Sequence, residues 1–210
     1  MSESDQHLLP DIITYIVTIE ADFGHIPEER KKKLQKLTSY LQESKSANKP
    51  INLIFICTHN SRRSHMCQLW AQTAAHYYGI SEINCFSGGT EATAFNPRSV
   101  KVMRKAGFEI EQADASSNPL YLVKYATNIE PVHAFSKKFN DEFNPKNDFA
   151  AIMTCSDADA GCPFIPGASF RVTISYEDPK VADNTPEEEN RYSERCRQIA
   201  TEMFYVFSLL

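Results

Sequence analysis

The spacing of apolar residues in the first fifty positions is helical. Two segments, residues 8–21 and 27–43, carry apolar side chains at steps of three and four, and in the second these are Leu34, Leu37 and Leu41. That spacing places the apolar side chains on one face of a helix. A proline followed by two glutamates opens the second segment, as is typical of a helix start. The pattern therefore predicts two amphipathic helices.

From residue 51 onward, short and nearly continuous apolar runs replace this pattern. They occupy residues 51–56, 83–86, 149–153 and 170–174. Their length and β-branched content are typical of buried parallel strands. Helical stretches lie between and after them, at residues 63–78, 97–106 and 186–208. Strands that alternate with helices predict an α/β fold with a doubly wound, four-stranded parallel sheet, which binds ligands beyond the carboxyl ends of its strands.

One stretch interrupts the alternation of strands and helices. Residues 118–147 contain five scattered aromatic residues without a helical period. We interpret this stretch as an inserted hairpin or lid, which is either an ordinary surface excursion or a segment that contacts substrate. The sequence thus divides into an N-terminal helical extension with a polar linker, residues 1–50, and a catalytic domain, residues 51–210.

Composition narrows the classes of function. The 210 residues carry a formal net charge of -5, which argues against an extended nucleic-acid surface. No apolar run reaches the roughly 20 residues that span a bilayer, and the first ten residues lack the profile of a signal peptide. We therefore expect a cytoplasmic protein without membrane or nucleic-acid partners, in which the six cysteines are mostly reduced thiols.

The loop between the first strand and the first long helix is the main candidate site. It reads Cys57-Thr58-His59-Asn60-Ser61-Arg62-Arg63-Ser64. A loop that leads from a strand end into a helix N-terminus turns successive backbone N–H groups inward, and the helix dipole adds partial positive charge. The segment predicts an oxyanion cradle formed by Thr58, His59, Asn60, Ser61, Arg62 and Ser64.

Three residues have the chemistry of a catalytic set. Cys57 is the candidate nucleophile, because the positive field of the loop favours its thiolate. Arg63 can grip two oxygens of the anion with its planar fork and stabilise a pentavalent transition state. Asp178 follows the last strand at the same end of the sheet and is the candidate general acid. An Asp-Pro pair is also a common turn, so this assignment depends on the Cys57 loop.

The loop and the late Asp178-Pro179 resemble those of the low-molecular-weight protein tyrosine phosphatase superfamily, over most of residues 51–210. The resemblance implies a compact four-stranded parallel sheet, a phosphocysteine intermediate on Cys57, and an acid at Asp178 that later activates water. His59 stands where that family usually has glycine, and Arg62 stands where it often has a second cysteine.

Two further cysteines follow the third strand. Cys155 lies at its end, and Cys162 lies seven residues later, across a polar stretch that we expect to be a loop able to fold back. This pair resembles that of the thioredoxin-coupled arsenate reductases, a branch of the same superfamily. The resemblance implies a relay in which Cys57 attacks arsenate, Cys155 attacks the Cys57 adduct, and Cys162 then forms a Cys155–Cys162 disulfide that thioredoxin reduces.

The sequence therefore favours a thiol-dependent arsenate reductase. It predicts no metal and no tightly bound cofactor, with thioredoxin or another thiol as electron donor and a small oxyanion or phosphoester as substrate. One alternative is a protein tyrosine phosphatase in which the two late cysteines serve as redox control. Another is a module that binds an oxyanion without turnover. The late cysteines can also be simple structural thiols.

Overall fold

The computed structural model describes residues 7–162 and 164–210. Residues 1–6 of the predicted N-terminal extension lie outside the described residues. In chain order the elements are α1 (Pro10–Glu20), α2 (Glu28–Ser46), β1 (Ile51–Cys57), α3 (Arg63–Tyr77), β2 (Ile83–Gly89), α4 (Pro97–Lys105), β3 (Glu109–Gln112), β4 (Tyr121–Lys124), β5 (Val132–Ala134), β6 (Phe149–Met153), α5 (Ser156–Gly161), β7 (Ala168–Thr173) and α6 (Glu188–Phe207). A 3-10 turn spans Pro179–Ala182.

The central sheet has four parallel strands in the order β2-β1-β6-β7. Within β1, Leu53 and Phe55 face the larger hydrophobic cluster, whereas Ile54 and Ile56 face a smaller one on the other side. A strand buried on both faces explains the nearly continuous apolar run in the sequence. The predicted four-stranded parallel sheet is confirmed, and Cys57 is the last residue of β1, one of its two central strands.

The two N-terminal helices pack into the same core as the sheet. The side chains of Leu34, Leu37 and Leu41 are fully buried and belong to the larger hydrophobic cluster. Arg30 on α2 donates through Nε and Nη2 to the Glu202 carboxylate on α6, at 2.8 and 2.6 Å. The boundary at residue 50 thus marks a change in the sequence pattern. The described residues before and after it belong to the same hydrophobic cluster.

The predicted hairpin is present as β4 and β5, which pair antiparallel. The structure adds β3, which pairs with β4 to make a second sheet of three strands. Ile110 is the single buried residue of β3, so its sequence carries no clear alternation that would predict a strand. After β5 the chain returns to the parallel sheet, where Gly89 N donates to Lys137 O and Phe139 N donates to Gly89 O, at 2.8 and 2.9 Å.

The prediction of a loop between Cys155 and Cys162 is wrong, because residues 156–161 form the helix α5. The helix is capped by Cys155, whose Sγ accepts a hydrogen bond from Ala158 N at 3.4 Å. A six-residue helix with a glycine at its end gives little periodic signal in the sequence.

Among the described residues, no helix is long and apolar enough to cross a membrane.

Candidate active site

The candidate nucleophile lies at the carboxyl edge of the sheet. Cys57 is the last residue of β1 and is 3% exposed. Its Sγ lies 3.1 Å from Ser64 Oγ, and that hydroxyl accepts a hydrogen bond from Asn60 Nδ2 at 2.8 Å. Because Asn60 occupies an acceptor site of the hydroxyl, the Ser64 proton is free to point at the sulfur. Ser64 can therefore stabilise a thiolate on Cys57.

Asn60 fixes the bend of the loop. Its φ of 44° lies in the left-handed region, which asparagine tolerates better than most residues. Its Oδ1 accepts from the backbone N–H of Lys137 at 2.8 Å. The side chain is fully buried, so both of its polar ends are used within the protein. These contacts are those of a residue that holds the loop in one conformation.

The loop carbonyls are directed away from the cradle. Thr58 O accepts from Glu91 N at 2.8 Å, His59 O accepts from Ser136 Oγ at 2.9 Å, and Ser61 O accepts from Asn96 N at 2.9 Å. A planar trans peptide points its N–H opposite to its C=O. The N–H groups that follow these carbonyls therefore point away from the donors, which is the orientation that an oxyanion cradle would need.

The structure brings Arg63 and Asp178 together. Arg63 Nη1 donates to Tyr176 O at 2.9 Å, and Nη2 donates to Asp178 Oδ2 at 2.8 Å. The Nε of Arg63 is buried and has no acceptor among the described residues. A buried guanidinium N–H without a partner is costly, and an oxyanion in the loop would satisfy it.

The side chain of Arg62 contacts residues outside the Cys57–Ser64 loop. The sequence assigns Arg62 to the oxyanion cradle, to which it would contribute its backbone N–H, and its side chain lies against α6, where Nε donates to the Tyr192 hydroxyl at 2.8 Å. Its Nη2 donates to Asp183 Oδ2 at 3.3 Å. Neither Tyr192 nor Asp183 carries a signal in the sequence, because both look like ordinary polar positions of a surface helix and a turn.

Cys155 lies beside the loop, and Cys162 lies at the other end of α5. The Sγ of Cys155 is 3.5 Å from Thr58 Oγ1, and Cys155 shares a buried cluster with Cys57. Cys162 follows α5 at its carboxyl end, is partly exposed, and packs against that cluster. The structure therefore brings Cys57 and Cys155 to one edge and separates Cys155 from Cys162 by a helix.

The remaining cysteines, Cys67, Cys85 and Cys196, are buried. Burial raises the pKa of Cys196 to about 11 and also raises the pKa of Cys67 and Cys85. A thiol with such a pKa stays protonated at neutral pH and is a poor nucleophile. His65 is also fully buried, stacks on Phe95 with ring centroids 4.1 Å apart, and has a pKa well below its usual value because of burial.

The returning segment after β5 contributes residues that the sequence does not single out. Lys137 is only 5% exposed, and its Nζ lies 4.6 Å from the centroid of the Phe135 ring. Burial lowers the pKa of this lysine to about 8. The one sequence feature that could have indicated this contact is the Gly88-Gly89 pair, since a Cβ on Gly88 would lie 2.4 Å from Phe139 Cα. Only glycine there lets this segment approach the sheet so closely.

We expect the substitution Lys137→Met to stabilise the protein in a pH-dependent way. The folded-state pKa of about 8 lies below the ordinary 10.5, so between these values the unfolded chain binds more protons and wild-type stability rises with pH. At pH 7 the variant should gain about 3 kcal/mol of unfolding free energy, and the gain should vanish above about pH 10.5. Denaturant unfolding at pH 7 to 10 measures this, with the exposed Lys138→Met as control. A gain that is independent of pH would contradict the expectation.

The Cys57–Arg63 loop at the carboxyl edge of a four-stranded parallel sheet defines a class of enzymes that bind a tetrahedral oxyanion between a cysteine and an arginine. The model of the low molecular weight phosphotyrosine protein phosphatase family matches residues 52–121. An arsenate reductase of Bacillus licheniformis is 31% identical over 148 residues, covering 69% of this chain and 86% of the relative. The chain thus belongs to the arsenate reductase branch of the low molecular weight phosphotyrosine phosphatase superfamily.

Further comparisons agree with this assignment. An arsenate reductase of Bacillus subtilis is 28% identical over 145 residues, covering 69% of this chain and 86% of the relative. The solved structure of a low molecular weight protein tyrosine phosphatase from T. tengcongensis superposes with a TM-score of 0.53 at 16% identity, over 76% of this chain and 99% of that chain. A low molecular weight phosphotyrosine phosphatase from Vibrio cholerae gives 0.52 at 11% identity, over 75% and 95%. These structures show the shared fold.

Proposed function

We propose that this enzyme reduces arsenate to arsenite through a relay of Cys57, Cys155 and Cys162. The observation that carries the proposal is the position of Cys155, whose Sγ lies 3.5 Å from the hydroxyl of Thr58, the residue that follows Cys57. Adjacent parallel strands lie about 5 Å apart, so the ends of β1 and β6 present their cysteines as neighbours. The arsenate reductases among the relatives favour the same substrate.

The first step is attack of the Cys57 thiolate on arsenic. The cradle and Arg63 hold the oxyanion, and Asp178 donates a proton to the oxygen that leaves as water while the sulfur–arsenic bond forms. Asp178 is placed for this role because its carboxyl group lies at the site, 2.8 Å from Arg63 Nη2, and is 15% exposed. The step thus needs one thiolate, one cation and one acid, and the loop and the Asp178 turn supply all three.

The next two steps move electrons between sulfur atoms. The Cys155 thiolate attacks Cys57 Sγ, the sulfur–arsenic bond breaks, and its electron pair stays on arsenic, which leaves as arsenite. Cys162 then attacks Cys155 Sγ, releases the Cys57 thiolate and leaves a Cys155–Cys162 disulfide. An external dithiol such as thioredoxin reduces this disulfide and completes the cycle.

A second candidate function is the hydrolysis of phosphotyrosine or a related phosphoester. The Arg63–Asp178 pair at 2.8 Å favours it, because a phosphatase needs this arginine and this acid but no further thiol. Cys57 would form a phosphocysteine, and Asp178 would then activate water. In that reaction Cys155 and Cys162 serve as redox control at most.

The serine variants of the three cysteines separate the two functions. We expect Cys57→Ser, Cys155→Ser and Cys162→Ser each to abolish steady-state arsenite release from arsenate with thioredoxin, thioredoxin reductase and NADPH, because each removes one thiol of the relay. The buried Cys85→Ser is the control, and should retain turnover. Absence of arsenate turnover, together with phosphoester hydrolysis lost only in Cys57→Ser, would refute the relay and establish a phosphatase.

A further inference from the structure

The side chain of Arg62 contacts both ends of the 3-10 turn that follows the candidate acid, Asp178. Its Nε donates to the Tyr192 hydroxyl at 2.8 Å and lies 3.9 Å from Asp178 Oδ1. Its Nη2 donates to Asp183 Oδ2 at 3.3 Å, and Tyr192 donates to the other oxygen of Asp183 at 2.8 Å. Arg62 thereby links Asp178, which precedes the 3-10 turn, Asp183, which follows it, and α6.

The other contacts of Asp178 show why this link matters. Its Oδ2 is paired with Arg63 Nη2 at 2.8 Å, and its Oδ1 accepts from Lys180 N at 3.0 Å. In the function proposed above, Arg63 binds the oxyanion, so the substrate competes with Asp178 for the same guanidinium. When the substrate wins, Asp178 loses its shortest contact to a cation at the moment when its position matters most.

We propose that Arg62 is a positioning residue that holds Asp178 over the leaving oxygen once Arg63 has turned to the bound oxyanion. The inference rests on the proposed function, in which Asp178 is the general acid. Arg62 approaches the carboxyl oxygen that Arg63 does not use, so both guanidinium groups can act in turn. Its side chain is 15% exposed, which keeps it within a narrow range of positions.

The charges around Arg62 allow it to restrain Asp178 without disabling the acid. Arg62 divides its contacts between two carboxylates. Here Asp183 lies nearer to Arg62, at 3.3 Å against 3.9 Å for Asp178, and so takes the larger share of its charge. Asp178 can then give its proton to the leaving oxygen as the bond to Cys57 forms. The resulting carboxylate still faces Arg62.

The dependence of the rate on the leaving group tests the proposal. p-Nitrophenyl phosphate releases a stable phenolate and needs little help from an acid, whereas phenyl phosphate needs a proton. For Arg62→Ala we expect kcat/KM for phenyl phosphate, which reports the step that forms the phosphocysteine, to fall roughly 10- to 30-fold, while kcat/KM for p-nitrophenyl phosphate falls less than about threefold. Single-turnover reduction of arsenate, which also has a poor leaving oxygen, should slow by the same 10- to 30-fold, with inhibition by phosphate unchanged.

Matched variants separate positioning from general damage. Arg98→Ala removes a charge that pairs with Asp183 at 3.8 Å and with Glu188 at 2.8 Å, and it should leave the ratio of the two ester rates unchanged. Tyr192→Phe, which loosens Arg62 without removing it, should give an intermediate ratio. Asp178→Asn removes the acid itself, and therefore gives the largest change in the ratio of the two ester rates that can be expected.

The outcomes distinguish the inference from the function beneath it. If Asp178→Asn leaves the ester ratio and the arsenate rate unchanged, the proposed acid is wrong and the inference about Arg62 falls with it. If Asp178→Asn changes them but Arg62→Ala slows both esters equally, or slows neither, the inference about Arg62 alone is overturned. Should the wild type hydrolyse neither ester, the single-turnover arsenate rate decides by the same criterion, and an unchanged rate overturns the inference.

Discussion

Replacing Arg63 by alanine should lower kcat for the preferred oxyanion substrate by roughly 10³-fold. Arg63 supplies a charged fork whose Nε is buried and has no acceptor among the described residues. The charge on the oxyanion grows and spreads in the pentavalent transition state, so the loss should fall mainly on kcat. Steady-state kinetics with arsenate, and with a phosphoester in parallel, measure the effect.

Two further variants show whether the fork or the charge matters. Arg63→Lys keeps a cation but loses the planar pair of donors, so we expect it to recover only a small part of the lost rate. Arg191→Ala removes a surface arginine that pairs with Glu194 on α6, and it should have normal activity. Thermal unfolding of each variant checks the fold, since Arg63→Ala also takes from Asp178 its closest cation. A loss smaller than tenfold would show that the cradle binds the transition state without Arg63.

The strands that end at the candidate site were predictable because burial on both faces leaves a simple signal. The run from Ile51 to Ile56 is apolar at every position but one, and it leads directly into the Cys-x5-Arg loop. Strand ends and helix starts then place Cys57 and Arg63 without further information. Asp178 followed from the same rule, since the carboxyl ends of parallel strands meet at one edge.

The contacts that surround this site depend on tertiary structure and left little trace in the sequence. Ser136 donates to His59 O, and Lys137 N donates to Asn60 Oδ1, although each donor is 77 positions away from its acceptor along the chain. Their segment has no periodic pattern because its polar groups bind the loop rather than water. For a related reason, the sequence places the backbone of Arg62 in the loop but does not predict that its side chain reaches Tyr192.

Formation of a Cys155–Cys162 disulfide should open α5. Seven residues at the helical rise of 1.5 Å place the two Cα atoms roughly 10 Å apart. A disulfide requires Cα atoms no more than about 7 Å apart. The Cys155 sulfur also caps α5 through Ala158 N, and this sulfur changes partner when it is oxidised. We therefore expect faster amide exchange across residues 156–162 in the oxidised protein than in the reduced protein.

A single substitution links this opening to the rate of the relay. A Cβ added at Gly161 would meet no other atom within 4 Å, and its φ is not positive, so Gly161→Ala should favour the helix by roughly 0.5–1 kcal/mol. The Cys162 step should slow about two- to fivefold in single-turnover quench experiments, while arsenite release at the Cys155 step is unchanged. Gly24→Ala, equally unhindered, is the control.

The substitution Thr173→Val should have the opposite effect. Because Asp159 links α5 to Arg171 and Thr173 of β7, loss of the Thr173 hydroxyl should make α5 easier to open and should speed the same step. Equal rates in all variants would mean that α5 does not open before the disulfide forms.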